Sequence, residues 1–310
     1  MSPTSQLHKG HVHHGEGEAE ESVLSGLRWA IVLTAITLAV EGIGAYFSRS
    51  LSLTVDAVHN VPDVIAYGAS LAALVLASRG ADSSHTYGLH RTEVMAALLN
   101  AALVIGTALI FGTGAVVALM NGGKSPFGTI DPVWLVFAAV PTLALRGFAA
   151  FQIGRIPSRV RDLNLRSVLF HLASDIVIVS FILAVGIVLV IRPALVWIDP
   201  MATLAIAAIL MIEAVPIIRD SWDSFTERMP KHISMEEVIR VATRVPNVED
   251  VHDVHIWSVC SSLICMTAHV RISNVTVKES MEILSALRER MANDFGIVHA
   301  VFEVETSAQA

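Results

Sequence analysis

The sequence predicts a polytopic α-helical membrane protein with six transmembrane helices, followed by a small cytoplasmic α+β domain. Of its 310 residues, 54% are hydrophobic and only 16% are charged, whereas about 25% of the residues in a soluble globular protein are charged. The mean hydropathy is +0.62. Six apolar stretches fill the first two-thirds of the chain, and after them the sequence takes on the mixed polar and apolar pattern of a soluble domain.

Each of the six apolar stretches is long enough to cross a bilayer, since a membrane-spanning helix needs about 20 residues. We place them at 28–47, 53–77, 94–120, 133–153, 167–191 and 197–218. An even number of spans puts both termini on the same side of the membrane.

The distribution of arginine and lysine sets the orientation, because loops on the cytoplasmic side carry an excess of these residues. With the termini inside, the inner flanks contain Arg28, Arg79, Arg91, Arg155, Arg159, Arg161 and Arg166. The outer loops then contain only Arg49, Lys124 and Arg192. We therefore expect a multi-pass protein of the inner or plasma membrane with both termini in the cytoplasm.

The C-terminal segment has the pattern of a small α+β domain. SMEEVIRVATRV is typical of an amphipathic helix, and VEDVHDVHIWSV alternates as a half-buried strand does. A second strand, a second helix and a third strand follow in SLICMTAHVRI, VTVKESMEILSALRERMANDF and IVHAVFEVE. The predicted order is αββαβ. A domain of this size has a modest core and is often stabilised by dimerisation.

The domain boundaries follow from these patterns: 1–25, 26–222 for the transmembrane domain, and 223–310 for the cytoplasmic domain. The first segment contains His8, His11, His13 and His14 among Gly, Glu and Ser. Because this composition cannot bury a core, we expect it to be disordered. Its histidines either capture cytoplasmic metal or have no defined role, and the sequence leaves both open.

Charge and cysteine usage exclude several classes of function. The net charge of −7 and the lack of a concentrated basic face argue against nucleic-acid binding. Cys260 and Cys265, the only cysteines, form neither a C-x-x-C motif nor a disulfide framework and are expected to be packing residues. The polar, acidic N-terminus is not a signal peptide.

A His-x-x-x-Asp pattern occurs twice inside the apolar spans, as His59 and Asp63 in the second and as His171 and Asp175 in the fifth. The i,i+4 spacing places both side chains on one face of a helix. Ionisable residues within a membrane span are costly and indicate function by default. The alternative for the first pair is a hydrogen-bonded histidine and a helix cap, but the repetition of the pattern in the fifth span favours a site.

Two imidazoles and two carboxylates suit zinc, which prefers four ligands in a tetrahedron. Cobalt, cadmium, nickel and iron(II) remain open, whereas carboxylates alone would favour harder cations and thiolates would favour copper(I). The ligands must lose their protons to bind metal, and histidine titrates near physiological pH. One site can therefore alternate between metal and protons, which is the physical basis of an antiporter.

Neighbouring residues of the spans have two interpretations each. Pro62 either kinks the second span in the ordinary way or aims the ligands as a hinge. Asp56 is a hydrogen-bonding partner of His59 or a helix cap. Glu41, Arg146 and Glu213 are expected to face the bundle interior, where Glu41 could assist a proton or metal path. For Arg146 and Glu213, a position near an interface is the alternative. None of these three is predicted to be a ligand.

Four segments, DAVHNVPDV, YGLHRTEVMAALLNA, HLASDIVIV and VHDVHIWSV, in this order, resemble the zinc-type members of the cation diffusion facilitator family. The resemblance covers about 28 to 305 and implies a homodimer in the lipid bilayer, each subunit with six spans and a ferredoxin-like cytoplasmic domain. It also implies that His59, Asp63, His171 and Asp175 form the transport site. The proline in HNVPD departs from the family pattern and affects the local geometry.

The resemblance further implies cytoplasmic zinc sites. His90, in the loop after the second span, matches a position that binds metal in some relatives; Asp82 and His85 are nearby candidates, and an exposed loop histidine is the alternative. In the tail, the matching positions are His255, His269, His299 and Glu305, with His232 and His252 as weaker candidates. The alternative for the tail is an ordinary polar sheet face. Residues 223–310 are thus expected to sense metal and to dimerise.

The function expected from these observations is efflux of a divalent cation, zinc first, in exchange for protons. Zinc would be the substrate and a structural or regulatory ion. One rival is a membrane metal sensor that does not transport. A second is an intramembrane metalloenzyme, which we do not favour, because four protein ligands leave zinc no open position and the sequence has no H-E-x-x-H motif.

Overall fold

The structure is a computed structural model that describes residues 16–77, 84–154, 163–260, 263–273 and 275–306. Within them, six long helices are followed by two short helices and three strands. The long helices are α1 Glu16–Ser48, α2 Leu51–Ala77, α3 Arg91–Met120, α4 Pro132–Gly154, α5 Leu163–Ile191 and α6 Ile198–Phe225. The tail contains α7 Met235–Ala242, β1 Val248–Cys260, β2 Leu263–Ile272, α8 Val277–Phe295 and β3 Ile297–Thr306.

The predicted fold class is confirmed. Four of the described helices are long and apolar enough to cross a membrane: Arg91–Met120, Pro132–Gln152, His171–Ile191 and Ile198–Phe225. The described apolar part of α1, Val32–Ser48, is shorter. Helix α1 begins at Glu16, inside the segment predicted to be disordered. Its first turns are rich in glutamate, which favours a helix N-terminus.

The described chain forms two compact units, each with its own core. The first combines the chain up to Ala72 with Ala102–Ile212. Its helices approach closely where they carry small residues. A side chain at Gly44 of α1 would collide with Ala138 of α4, and one at Gly186 of α5 would lie 2.9 Å from Val136 of α4. These contacts bring α1, α4 and α5 together around a core that includes Ile178, Ile182 and Ile206.

A buried carboxylate anchors the start of α2. Asp199, near the start of α6, accepts hydrogen bonds from the hydroxyls of Ser50 and Ser52, both at 2.6 Å, and from the Leu51 backbone N–H at 2.7 Å. The first N–H groups of a helix have no partner within the helix, so a carboxylate there satisfies them and interacts favourably with the helix dipole. Asp199 therefore fixes the helix that carries the first His-x-x-x-Asp pair.

The second unit combines Ala73–Ala101 with Glu213–Ala310 and contains the predicted αββαβ domain. Its sheet has the order β1-β2-β3, with β1 and β2 antiparallel and β2 and β3 parallel. One face packs on α7 and α8 through residues such as Met266, Leu287 and Met291. Helix α8 begins at a Thr276–Glu279 capping box and ends at Gly296, whose φ of 68° suits glycine. The opposite face of the sheet is polar.

Candidate metal centre

The centre of the first unit brings together three of the four residues of the repeated pattern. His59 Nε2 on α2 lies 3.8 Å from Asp175 Oδ1 on α5, and His171 Nε2 lies 4.0 Å from Asp175 Oδ2. Two ligand atoms of one tetrahedral zinc ion are about 3.4 Å apart, given metal–ligand distances near 2.1 Å. Both distances exceed this spacing, so the donors would have to move closer together to bind one ion.

The fourth residue, Asp63, belongs to α2, but its side chain lies outside the described part of the structure. Helix α2 is continuous from Leu51 to Ala77 with Pro62 inside it. Asp63 therefore lies about one helical turn from His59, as the spacing predicts.

His59 and its neighbours are buried without the hydrogen bonds that burial normally requires. His59 is 2% exposed and Asp56 is 0% exposed. Among the described residues, both ring nitrogens of His59, both carboxylate oxygens of Asp56 and Oδ1 of Asp175 have no hydrogen-bond partner. Leaving such groups unpaired is expensive. A cluster of this kind is suited to bind a cation or protons.

Asp56 is placed to orient the His59 ring. Its Oδ1 lies 3.5 Å from His59 Nδ1, on the other side of the ring from Asp175. A histidine that ligates metal through one nitrogen usually donates the other N–H to a carboxylate or carbonyl, which fixes the tautomer. The geometry favours this partner role over the helix cap that the sequence left open.

Arg146 of α4 is also part of this centre and faces the interior of the first unit. It is 4% exposed, and its Nη2 lies 2.9 Å from Glu41 Oε1 on α1 and 3.6 Å from Asp56 Oδ1. Its Nη1 donates to the Asp175 carbonyl at 3.0 Å. Asn60 donates to the second Glu41 oxygen at 2.7 Å. This network was not predicted from the sequence. The spacing of residues along one helix shows which of them share a face, but it does not show which helices pack together.

A cavity of about 50 Å³ adjoins these residues, whereas one water molecule needs only about 10–15 Å³. Its lining includes Asn60, Arg146, His171 and Asp175. The cavity can therefore hold a metal ion with part of its hydration shell beside the candidate ligands.

In the second unit, the polar face of the sheet gathers His252, His269 and Glu305, whose ligand atoms all lie within 4.8 Å of one another. His269 Nδ1 is 2.9 Å from Glu305 Oε1, and His252 Nε2 is 3.3 Å from Glu305 Oε2. The hydrogen bond to Glu305 raises the pKa of His269, and the same bond lowers the pKa of Glu305. Two imidazoles and a carboxylate are a donor set that suits zinc.

A bulge in β1 decides which histidine joins this cluster. His252 lies directly opposite His269, and the pairing shifts before His255, which lies opposite Thr267. Asp253 sits in the bulge with a φ of 47°, and it interacts with both His255 Nε2 at 3.2 Å and His269 Nε2 at 3.6 Å. Strict alternation along the strand misses such a bulge. His252, the weaker candidate from the sequence, is thus the one that meets Glu305.

The remaining candidates are dispersed. His299 stacks edge-on against Tyr87, with ring centroids 5.5 Å apart, and His90 Nδ1 lies 3.6 Å from Cys260 Sγ. His232 is exposed. Neither cysteine forms a disulfide and both are buried, as expected of packing residues. His85 lies in the same loop as His90, whereas Asp82 and the four N-terminal histidines lie outside the described residues.

Two family models match the chain. The cation efflux transmembrane domain matches residues 27–226, and the cation efflux protein cytoplasmic domain matches residues 230–307. The chain belongs to the cation diffusion facilitator family. It is therefore a multi-pass membrane protein that exports divalent metal cations, and its tail is the family's cytoplasmic dimerisation domain.

Curated relatives of this family cover nearly the whole chain. The metal cation efflux system protein CzcD of Cupriavidus metallidurans is 29% identical over 96% of this chain and 90% of its own length. The cadmium, cobalt and zinc/H(+)-K(+) antiporter of Bacillus subtilis is 28% identical over 96% of this chain and 93% of its own length. A solved structure, the metal-bound C-terminal domain of the Cupriavidus CzcD transporter, is 32% identical over 24% of this chain and 99% of that chain, with a TM-score of 0.22.

Proposed function

We propose that this cation diffusion facilitator exchanges cytoplasmic zinc for protons at a site formed by His59, Asp63, His171 and Asp175. The observation that carries the proposal is the buried His59 ring. It lies between two carboxylates, and both its nitrogens lack hydrogen-bond partners among the described residues. A buried imidazole placed in this way is suited to bind a metal or a proton in turn.

The exchange follows from the chemistry of the ligands. Zinc binds neutral imidazole and ionised carboxylate, so its binding releases protons. When zinc leaves, the His59 nitrogens and Asp175 Oδ1 are again buried without hydrogen-bond partners among the described residues, and protons are the cations that can satisfy them. Rocking of the bundle between two openings would then move zinc one way and protons the other. A relative named for proton-coupled zinc antiport, the probable antiporter SLC30A3 of Rattus norvegicus, is 25% identical over 89% of this chain and 75% of its own length.

For the cytoplasmic domain, residues 223–310, we propose regulation by metal in a homodimer. His252, His269 and Glu305 would hold the ion, with His255, His299 and His90 outside this cluster. These three side chains now contact one another on the polar face of the sheet. A bound zinc would take the place of those contacts, because each side chain would bind the ion directly. Both termini are proposed to lie in the cytoplasm, as the arginine distribution indicates.

Zinc uptake into proteoliposomes that contain the purified full-length protein tests the site assignment. His59→Ala and His171→Ala should each lose transport, because each removes one of four ligands. His232→Ala is the matched control, since it removes an exposed histidine outside both clusters. Uptake by either ligand variant at the wild-type rate would refute the assignment. The same vesicles, with cadmium and cobalt as competitors, rank the metals.

The alternative of a sensor that does not transport predicts zinc binding without uptake in this assay. It is not favoured, because the relatives that cover the chain are efflux proteins and antiporters. We expect no enzymatic activity, since four protein ligands would leave zinc no open coordination position for catalysis.

A further inference from the structure

The charges around the candidate transport site are unbalanced. Glu41, Asp56 and Asp175 are buried acids, and Arg146 is the one permanently charged cation that the described side chains place among them. A buried charge is tolerated only when it is paired and hydrogen-bonded. The single guanidinium therefore decides how much negative charge is left for an incoming cation.

Arg146 contacts one proposed metal ligand, Asp175, and the carboxylate beside another, Asp56. From α4 it contacts Glu41 on α1 at 2.9 Å, Asp56 on α2 at 3.6 Å and, through Nη1, Asp175 on α5, at 3.0 Å to the carbonyl and 3.9 Å to Oδ1. The planar, permanently charged guanidinium can serve several oxygens at once, which lysine cannot do in the same way.

We propose that Arg146, anchored by Glu41, is a resident cation of the transport site that moderates its affinity for zinc. It neutralises part of the carboxylate charge when the metal is absent, and it repels a bound divalent ion. A transporter must release its ion, so a site of full carboxylate charge would hold zinc too tightly to turn over. Arg146 acts through Asp175 and Asp56 and is a positioning residue, not a ligand. This inference rests on the proposed transport site.

A series of charge variants tests the inference by zinc binding, with zinc alone as the probe. The purified full-length protein carries His269→Ala throughout, which removes the tail cluster. Arg146→Gln should tighten zinc binding by about tenfold or more, because it removes a positive charge near the ion. Glu41→Gln should weaken binding by a similar factor. The double variant restores the charge balance and should lie within about threefold of the parent.

This ordering separates an electrostatic role from a structural one. If Arg146 only supported the fold of the site, each single variant would weaken zinc binding and the double variant would not recover. That pattern would overturn the inference. If Arg146→Gln alone does not fold, the comparison of Glu41→Gln with the double variant decides: equal or weaker binding by the double variant overturns the inference. Arg192→Gln, which changes an exposed arginine at the end of α5, is the matched control and should leave affinity unchanged.

Transport kinetics add a second readout. Arg146→Gln should lower both the KM for zinc and the maximal rate, because tighter binding slows release. A higher KM would count against the inference. Asp175→Asn, measured alongside, tests the transport site separately from the role of Arg146. Unchanged zinc affinity in that variant refutes the transport site itself. Lost affinity in Asp175→Asn, together with a charge series that departs from the expected order, refutes only the role of Arg146.

Discussion

Replacing Asp175 by Asn removes one ligand charge while keeping the size of the side chain. Asp175 is 6% exposed and faces His59 at 3.8 Å and His171 at 4.0 Å. Loss of a residue that merely supports a metal ligand typically costs 10–100-fold in affinity. Loss of a direct ligand should reach at least the upper end of that range, so zinc binding should weaken about 100-fold or more, or about 2.7 kcal/mol.

The same substitution should barely change stability. The attraction between Asp175 Oδ1 and Arg146 Nη1, 3.9 Å apart, amounts to about 4 kcal/mol at an effective dielectric constant near 20. Desolvation of a buried carboxylate costs several kcal/mol and offsets that attraction. We therefore expect the free energy of unfolding to change by about 1 kcal/mol or less, because Arg146 keeps its bond to Glu41.

The assay combines zinc uptake by proteoliposomes with thermal unfolding of the purified protein. Asp131→Asn is the isosteric control, since Asp131 caps α4 away from the site and asparagine can cap equally well. A folded Asp175→Asn protein that transports zinc like the control would refute the reasoning. Loss of transport accompanied by a collapse of stability would show that the charge is structural.

Other parts of the molecule give three further predictions. His59→Asp replaces a nitrogen donor with a hard oxygen, so manganese and cadmium should compete better against zinc in uptake assays, and an unchanged ranking would exclude His59 as a ligand. Asp199→Ala should lower the free energy of unfolding by about 3–5 kcal/mol, because it leaves the buried donors at the start of α2 unpaired; a thermal shift like that of an exposed variant would contradict this. In the tail, the pKa of His269 is raised, so its pairing with Glu305 stabilises the folded domain fully below the usual histidine pKa. That stabilisation is lost as pH rises through the raised pKa. The lowered pKa of Glu305 makes its contribution present above the usual glutamate pKa and lost as pH falls through the lowered value. Zinc must displace the His269 proton, so the zinc affinity of a His59→Ala/His171→Ala protein should keep rising above about pH 6.5, and a plateau below that pH would contradict the pairing.

The order and type of the elements were accessible from the sequence, since long apolar stretches and the αββαβ alternation are periodic signals. The His-x-x-x-Asp repeat likewise predicted that His59 and Asp175 would meet, because ionisable groups buried in two apolar helices are stable only where they share partners or a ligand. These signals are local, because each of them is contained within a single helix or strand.

Residues whose roles depend on contacts between elements were harder to predict. Arg146 reaches Glu41 across 105 positions of the chain, and no pattern within α4 indicates that partner. The choice of His252 over His255 depends on a bulge in β1 that a strictly alternating strand does not predict. Likewise, Asp199 caps a helix that begins 148 residues earlier than itself.

The central claim is that one buried site binds zinc and protons alternately. The most direct test records zinc entry and internal pH together in proteoliposomes containing the wild-type protein, with a zinc gradient as the only driving force. Zinc entering the vesicles should drive protons out, so that the interior becomes alkaline in proportion to the zinc taken up, and His171→Ala should abolish both signals together. Zinc uptake at full rate with no proton movement would contradict the account and indicate a channel or uniporter.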